Sequence, residues 1–484
     1  MKKLLAIMWG TTWRIGAFCL VISAILWWMN KPSYWDANQA LATPATKLEG
    51  RVGVAVVVLA MPEHYDPVFF ENFVDKIFTG PIPWPINVFA GADAGTALID
   101  PTNPKMPTAF KPIILADIWG RTNDVDGVPW IEKYRLGQIR FVAPTGAVAH
   151  DHGFFLFPNR KGGMRTVTAK LLLKARYIMY AALPNGYLPH YSQTIAMAEG
   201  TLSDLRTRHK IVSGAVVDAF DPWKMETSVR SILDAGVDTL VLSSVQPIYS
   251  DFEEMKGSFS KVHKVVVAWE KEHPSKSVKI VVAPYLATTD SFDAIWVKQL
   301  NQTAPVARVP GQSRARVIIG LHGLPTSLVN SDSWTPRAKA VFDRLAPKLE
   351  AAMLAKGYRK VEVVYASEGF SDLPEDKNNQ LVSVAEEFHR AVNDHYDLVI
   401  SLPIEFLAEN TDMLFTHAAI MFDGLPGYQS YQGPPTDVDW SKPYVRRFKK
   451  GNTDVLYAGA PGGAAVPQAS AALADAMSTL WEKP

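Results

Sequence analysis

The sequence predicts an α/β protein of two Rossmann-like halves, each built on a parallel sheet, preceded by an N-terminal transmembrane helix. Three observations carry that prediction. Near-continuous apolar runs of strand length alternate with amphipathic helical segments from about residue 190 onward. The same rhythm resumes around His322, so the body divides into blocks of about 51–300 and 301–484. Ahead of both stands one long apolar run.

That run, residues 15–29, is uncharged and ends in Trp27-Trp28, an interfacial pair. Extended back to Leu4 past Arg14, whose guanidinium would snorkel, it is long enough to span a bilayer. Residues 1–31 are therefore expected to be a retained single-pass anchor. A cleaved signal peptide is the rival reading, with Ala40-Leu41-Ala42 as its small-x-small site. Lys2, Lys3 and Arg14 precede the end of the run and only Lys31 follows closely, which favours a body on the non-cytoplasmic side. A polar linker, 32–50, leads into the body.

The first element there is a buried strand, VGVAVVVLA (52–60), followed by a helix at 67–78 on Val68, Phe69, Phe73 and Ile77. From about 80 to 186 the rhythm stops, and a Pro-, Gly- and aromatic-rich stretch reads as an insertion with its own small core. Within it, 139–157 suits a hairpin with a glycine turn, and 168–183 suits a basic-apolar helix able to lie on a membrane. Three roles stay open for this insertion: a membrane-docking surface, a site for a membrane-protein partner, or padding. Helices are then expected at about 192–206, 225–236, 252–273 and 291–301, interleaved with strands at 210–220, 238–245 and 278–286.

In the second block Val317-Ile318-Ile319 forms the centre of a strand that ends before His322. Thr335 is expected to cap the next helix, with Pro336 at its first position and Gly357 just past its end. A strand at 360–367, a helix at 381–392, a strand at 397–403 and a helix at 404–415 follow. The loop-rich tail closes with a helix starting at Val466.

Composition narrows the chemistry. Lys plus Arg (49) nearly balances Asp plus Glu (48), so no basic footprint for nucleic acid is expected. Cys19 is the single cysteine, which excludes disulfides, thiolate metal sites and a cysteine nucleophile in the body. The glycine-rich nucleotide fingerprints, the GxSxG elbow and the HExxH helix are all missing from the sequence.

What remains is His322, placed just past the carboxyl end of a strand, where open α/β sheets bind ligands. An imidazole there can exchange a proton near neutral pH or ligate a metal; a turn histidine capping a backbone group is the alternative. After Pro403, Glu405, Glu409 and Asp412 recur at i, i+4 and i+7, which on a helix puts three carboxylates on one face. Glu405 would also suit the helix N-terminus. An imidazole facing such a row suits metal delivery and proton removal. His150-Asp151-His152 has the look of a chelate, but Asp151 would point away from the face its neighbours share, as at an exposed hairpin tip.

These segments resemble the ferrochelatase family. HGLPTSLVN (322–330) resembles its motif in which the catalytic His is followed by Ser/Gly-Leu-Pro. PIEFLAENTDML (403–414) resembles its Pro-Ile-x-Phe-x-x-Asp-His-x-Glu-x-Leu segment. YASEGFSDLP (365–374) sits where that family has Gln-Ser-x-x-Gly, QPIYS (246–250) matches a Pro-x-Tyr-Ser ending, and VVVLAMPEHYD (56–66) takes the place of its first strand and loop. Order and spacing agree over about 190–420 and 52–80; the insertion and the tail do not match. Asp412 stands where the family has Glu and Asn410 where many members have His. Ala60-Met61 replaces glycines, and Asp218 replaces an Arg.

The resemblance implies a chelatase-like fold and a lyase of haem biosynthesis that inserts Fe²⁺, or another divalent metal, into protoporphyrin or a related tetrapyrrole. Metal and porphyrin would be substrates, with no tightly bound cofactor. His322 would accept protons or donate metal, Asp412 would face it, and Glu409 and Glu405 would line the metal's approach. Tyr249, Trp334 and Met61 would line an apolar ring pocket. Two other readings stay open: a chelatase-fold protein that binds haem, tetrapyrrole or metal without turnover, and a membrane-tethered, two-lobed solute-binding protein.

Overall fold

The computed structural model describes residues 35–66, 96–99, 140–144, 154–158, 164–168, 183–322, 331–367, 384–414 and 437–482, apart from 44, 45, 47 and 412, together with Phe69, Tyr180 and Leu324. The chain forms two compact units, Met1–Tyr34 with Tyr65–Ile178 and Trp35–His64 with Met179–Pro484. Among the described residues no helix is long and apolar enough to cross a membrane. The expected anchor and His150-Asp151-His152 lie outside the described residues, as does nearly all of the helix expected at 67–78.

Strand β1 (Val52–Val58) opens the larger unit, and all seven of its residues are buried. In the smaller unit β2 (Thr96–Ile99), β3 (Arg140–Pro144), β4 (Phe154–Pro158) and β5 (Met164–Thr168) pair antiparallel in that order. The expected hairpin is thus the β3–β4 pair, with Phe141 opposite Phe155, inside a four-stranded sheet. Thr168 closes a strand rather than opening the basic-apolar helix; residues 169–179 lie outside the described residues and Tyr180 is helical.

The larger unit then runs through α1 (His190–Arg208), β6 (Ser213–Asp218), α2 (Pro222–Asp234) and β7 (Thr239–Ser244). Asp221 caps α2 by accepting the Lys224 N–H at 3.0 Å, with Pro222 at the first helical position, where a missing donor costs nothing. After β7 comes an eight-residue π-helix, Asp251–Ser258, which continues as α3 (Phe259–Glu272). β8 (Lys279–Val282) and α4 (Asp290–Thr303) complete this half. Its sheet is parallel throughout, in the order β6-β1-β7-β8. Central β1 is covered on both faces, which is why it carries no polar side chain.

The second half repeats the theme with β9 (Arg314–Leu321), α5 (Trp334–Ala355), β10 (Lys360–Ser367), α6 (Val384–Asn393) and β11 (Leu398–Pro403). β12 (Val445–Lys450) and β13 (Thr453–Ala458) follow, then α7 (Val466–Ser478). The order is β10-β9-β11-β13-β12, parallel except for the edge strand β12. β12 and β13 form a hairpin across Gly451-Asn452 inside the stretch read as loop.

Two local expectations are corrected. Thr335 is not a cap: α5 begins at Trp334, because the Asp332 carboxylate already accepts the Trp334 N–H at 2.8 Å. The helix expected at 404–415 does not form over 404–410. Ile404 donates its N–H across the sheet to the Gly320 carbonyl at 3.1 Å, Phe406 turns back to Pro403 at 3.0 Å, and helical geometry begins only at Thr411.

One core joins the two parallel sheets. Val54 and Val56 of β1, Trp296 of α4, Val317 and Ile319 of β9, Leu345 of α5 and Leu473 of α7 all belong to a single buried apolar cluster.

Candidate active site

β9 and β11 are adjacent and parallel, with Gly320 beside Pro403, so whatever follows each strand emerges side by side. His322 follows β9 and Glu405 follows β11. The His322 backbone N–H donates to Glu405 Oε2, while Trp334 Nε1–H donates to Glu405 Oε1 at 2.6 Å. The half-buried His322 ring lies edge-on to Phe406, with centroids 5.6 Å apart.

Glu405 is enclosed, and burial pushes its carboxyl up to about 7. The Trp334 hydrogen bond, the His322 charge and the His322 N–H pull it down, and nearby Glu253 pushes it up. A carboxyl poised there is half ionised at neutral pH, which is what a proton acceptor requires.

A second buried carboxyl comes from the first half. In the π-helix the Met255 N–H reaches the Ser250 carbonyl at 2.9 Å and the Phe259 N–H reaches that of Glu254, a spacing of five residues. Ser250 caps it, its Oγ accepting the Glu253 N–H at 2.8 Å. Glu254 closes the cap in return: its Oε2 accepts from the Ser250 N–H at 2.8 Å and from the Ser250 hydroxyl at 3.2 Å. Its Oε1 is buried with no hydrogen-bond partner among the described residues. Burial, then the charges of Glu253 and Glu405, hold this carboxyl well above the usual range against the Ser250 hydrogen bonds. Gly257 is what lets the turn close, since a Cβ there would sit 2.6 Å from the Phe252 carbonyl oxygen.

The two halves are braced beside these acids. Asp332 accepts the Asp251 N–H at 2.7 Å and the Phe252 N–H at 3.0 Å, as well as that of Trp334. Arg337 donates to the Tyr249 carbonyl at 2.8 Å and to Asn38 at 2.7 Å, and Ser333 hydrogen-bonds Asp251. The segment that carries Trp334 to Glu405 is therefore pinned to the π-helix that carries Glu254.

From the other side His190, the first residue of α1, joins Glu405, Thr194, Val245 and Phe406 around a cavity of about 20 Å³, room for a single water-sized group. His190 Nδ1 accepts the Met61 N–H at 3.0 Å, so the neutral ring carries its proton on Nε2.

The remaining expected residues take separate places. Asp412 lies outside the described residues. Glu409 is buried and turned away from Glu405, accepting the Ala460 N–H at 2.7 Å at the end of β13. Without a helix at 404–410, Glu405 and Glu409 do not share one face. Gly459 leaves room for Glu409, as a Cβ there would fall 1.9 Å from its Oε1. Of the residues expected to line a ring pocket, Tyr249 is wholly enclosed: its hydroxyl accepts the Ser244 N–H at 3.1 Å, and burial pushes it up to about 12. Trp334 is buried and engaged with Glu405. Met61, also buried, touches Thr411 through its sulfur at 3.7 Å, which brings the end of β1 against the segment carrying Asp412. Asp218, at the end of β6, is raised by burial against the Phe220 N–H and the Lys224 charge. Among the described residues no group of three or more His, Cys, Asp or Glu is arranged to hold a metal ion.

Glu254 and His190 were not singled out by the sequence reading. Ser250-x-x-Glu253 is a capping-box pattern, but it points to Glu253, and the π-turn moves the role on by one residue. His190 carries no motif; only Pro189 and the start of a helix mark it.

No family model and no curated protein matches the chain. Among solved structures, SirB from Bacillus subtilis with Fe3+ aligns at 11% identity over 59% of this chain and 89% of that one, with a TM-score of 0.36. The sirohydrochlorin chelatase SirB from Bacillus subtilis subspecies spizizenii, in complex with cobalt, aligns at 9% identity over 60% and 90%, with a TM-score of 0.34. A periplasmic ribose ABC transporter from Conexibacter woesei aligns at 11% identity over 43% and 58%, with a TM-score of 0.20. All three are distant likenesses to a chain whose larger unit holds two parallel-sheet α/β layers.

Proposed function

We propose that the protein inserts a divalent metal into a tetrapyrrole, with Fe²⁺ and protoporphyrin as the specific substrates. One observation carries this reading: His322 and a carboxyl poised near neutrality emerge together from the ends of adjacent parallel strands. Metal entry requires the ring to lose two pyrrole protons, so the site must hold acceptors that are neither fully ionised nor fully protonated at neutral pH. Glu405 meets that requirement. Glu254, raised well above the usual carboxylate range by burial and by the Glu253 and Glu405 charges, is electrostatically linked to it. The His322 imidazole supplies a nitrogen for the incoming metal or a further proton acceptor, and Asp412 would be the further acid of the set.

A porphyrin-metalation assay with Fe²⁺ or Zn²⁺ tests this. Wild type should form metalloporphyrin, and His322→Ala and Glu405→Gln should each lose about a hundredfold or more in rate, as expected for removing a positioned acid or base. No metalloporphyrin from wild type, beside an active ferrochelatase control, ends the proposal.

The binding-only reading has one observation in its favour: both Glu405 oxygens already hold N–H donors. Tight porphyrin binding unchanged by His322→Ala, without metalation, would identify it. A clam-like solute binder fits less well, because a hinge between lobes would have to break the apolar cluster the two sheets share. The single-pass anchor at 1–31, with the body on the non-cytoplasmic side, belongs to the same proposal, and a topology reporter fused after Pro484 tests it.

A further inference from the structure

Away from His322 and Glu405, α4, the start of β12 and the first turn of α7 enclose a cleft of about 370 Å³. Its walls are mainly apolar, formed by Ile295, Val445 and Pro461 among others. Among the described residues three cations line it, Lys298, Lys442 and Arg447, and no carboxylate does. Lys442 is bridged at 2.9 Å to Asp439, which lies outside the lining. Among the described residues the other two charges meet only neutral groups. Lys298 Nζ donates to Gln468 Oε1 at 3.2 Å, and Arg447 Nη2 donates to the Thr303 carbonyl at 2.9 Å. The cleft also receives Ala464, Ala465 and Gln468 at the start of α7.

Two cations with no carboxylate partner among the described residues, set beside an apolar wall, give the cleft a positive field that favours an anion. We propose that this cleft binds a small amphiphilic anion, a carboxylate or phosphate head on an apolar body. The head meets Lys298 and Arg447, and the body packs on Ile295, Val445 and Pro461. Both charged side chains already have a neutral anchor, so they are held near the ligand without the entropy cost of ordering them on binding. None of these residues belongs to the His322 site, and the inference stands whether or not the metal-insertion reading does.

The test is calorimetric titration of the full chain with octanoate, octyl phosphate and inorganic phosphate. At least one amphiphile should bind one to one, and more tightly than inorganic phosphate. Lys298→Glu and Arg447→Glu should each weaken it by about tenfold or more, the loss of one charge-assisted hydrogen bond. Lys298 is exposed on α4, so its reversal keeps the fold even if Arg447→Glu, which gives up the Thr303 contact, does not. Lys210→Glu, an exposed lysine outside the cleft, should leave binding unchanged. Absence of binding by both amphiphiles, equal losses in the Lys210→Glu control, or inorganic phosphate binding as tightly as octyl phosphate would overturn the proposal.

Discussion

Replacing Glu405 by Gln should change how the protein's stability depends on pH, and the size of the effect follows from burial. Unfolded, this carboxyl titrates near its ordinary 4.5; folded, it titrates near 7. Below the lower value both states are protonated and the group contributes nothing. Between the two, the folded state keeps a proton that the unfolded state releases, so stability falls by about 1.4 kcal/mol per pH unit as pH rises. Above 7 both are ionised, and the full cost of the buried charge, about 3 kcal/mol, is present. Glu405→Gln removes this slope and adds a pH-independent cost. A single amide oxygen cannot serve both the His322 N–H and the Trp334 Nε1–H, a loss of about 1–3 kcal/mol. Glu254 is raised in part by the Glu405 charge, so the variant also lets it relax towards the usual carboxylate range, a change in the same direction. Thermal unfolding of wild type and variant from pH 5 to 8 reads the difference. The variant's deficit should shrink, or reverse, by a few degrees towards high pH. Parallel curves would show that Glu405 is ionised throughout, and the proton-acceptor argument would fall with it.

Three further outcomes follow from the same contacts. Trp334→Phe removes the strongest hydrogen bond opposing protonation of Glu405, so its midpoint should move above 7; a carbon-13 carboxyl titration that stays at the wild-type midpoint contradicts this. Gly257→Ala drives a Cβ into the Phe252 carbonyl and should cost about 1–3 kcal/mol of stability as the π-turn strains, whereas an unchanged melting temperature would mean the turn adapts freely. Asp332→Ala removes the acceptor for the Asp251, Phe252 and Trp334 N–H groups, with a loss of about 1–3 kcal/mol, and hydrogen exchange at Asp251 and Phe252 should accelerate well beyond that at Leu242.

The two parallel sheets were legible because their strands are covered on both faces. A run such as Val52–Val58 has no polar position to confuse the period, and the helices between such runs keep one apolar stripe. The β12–β13 hairpin was missed for the converse reason. β12 lies at an edge and is half exposed, so Val-Arg-Arg-Phe-Lys-Lys carries more charge than a core strand would. His322 was legible from its place after a strand. The partner geometry was not, because the i, i+4, i+7 spacing of Glu405, Glu409 and Asp412 implies a helix only if nothing else claims the backbone. Here the Gly320 carbonyl claims the Ile404 N–H, and the Glu405 carboxylate turns back to β9. Glu254 was hidden by a different failure, since helical spacing assumes 3.6 residues per turn and the π-turn does not keep it.

That turn has a consequence for how the chain tolerates change. Along it three neighbours meet unlike surroundings: Phe252 is 44% exposed, Glu253 half-buried and Glu254 enclosed. Deleting one residue between Ser250 and Gly257 would let the segment revert to an ordinary α-helix, with better backbone hydrogen bonds and no crowding at Gly257. The apolar side chains of α3 would keep their seats, but the buried acid that closes the Ser250 cap would be lost. Fold and acid are thus separable by a single codon, and this helix keeps its less favourable winding in the only arrangement that retains both.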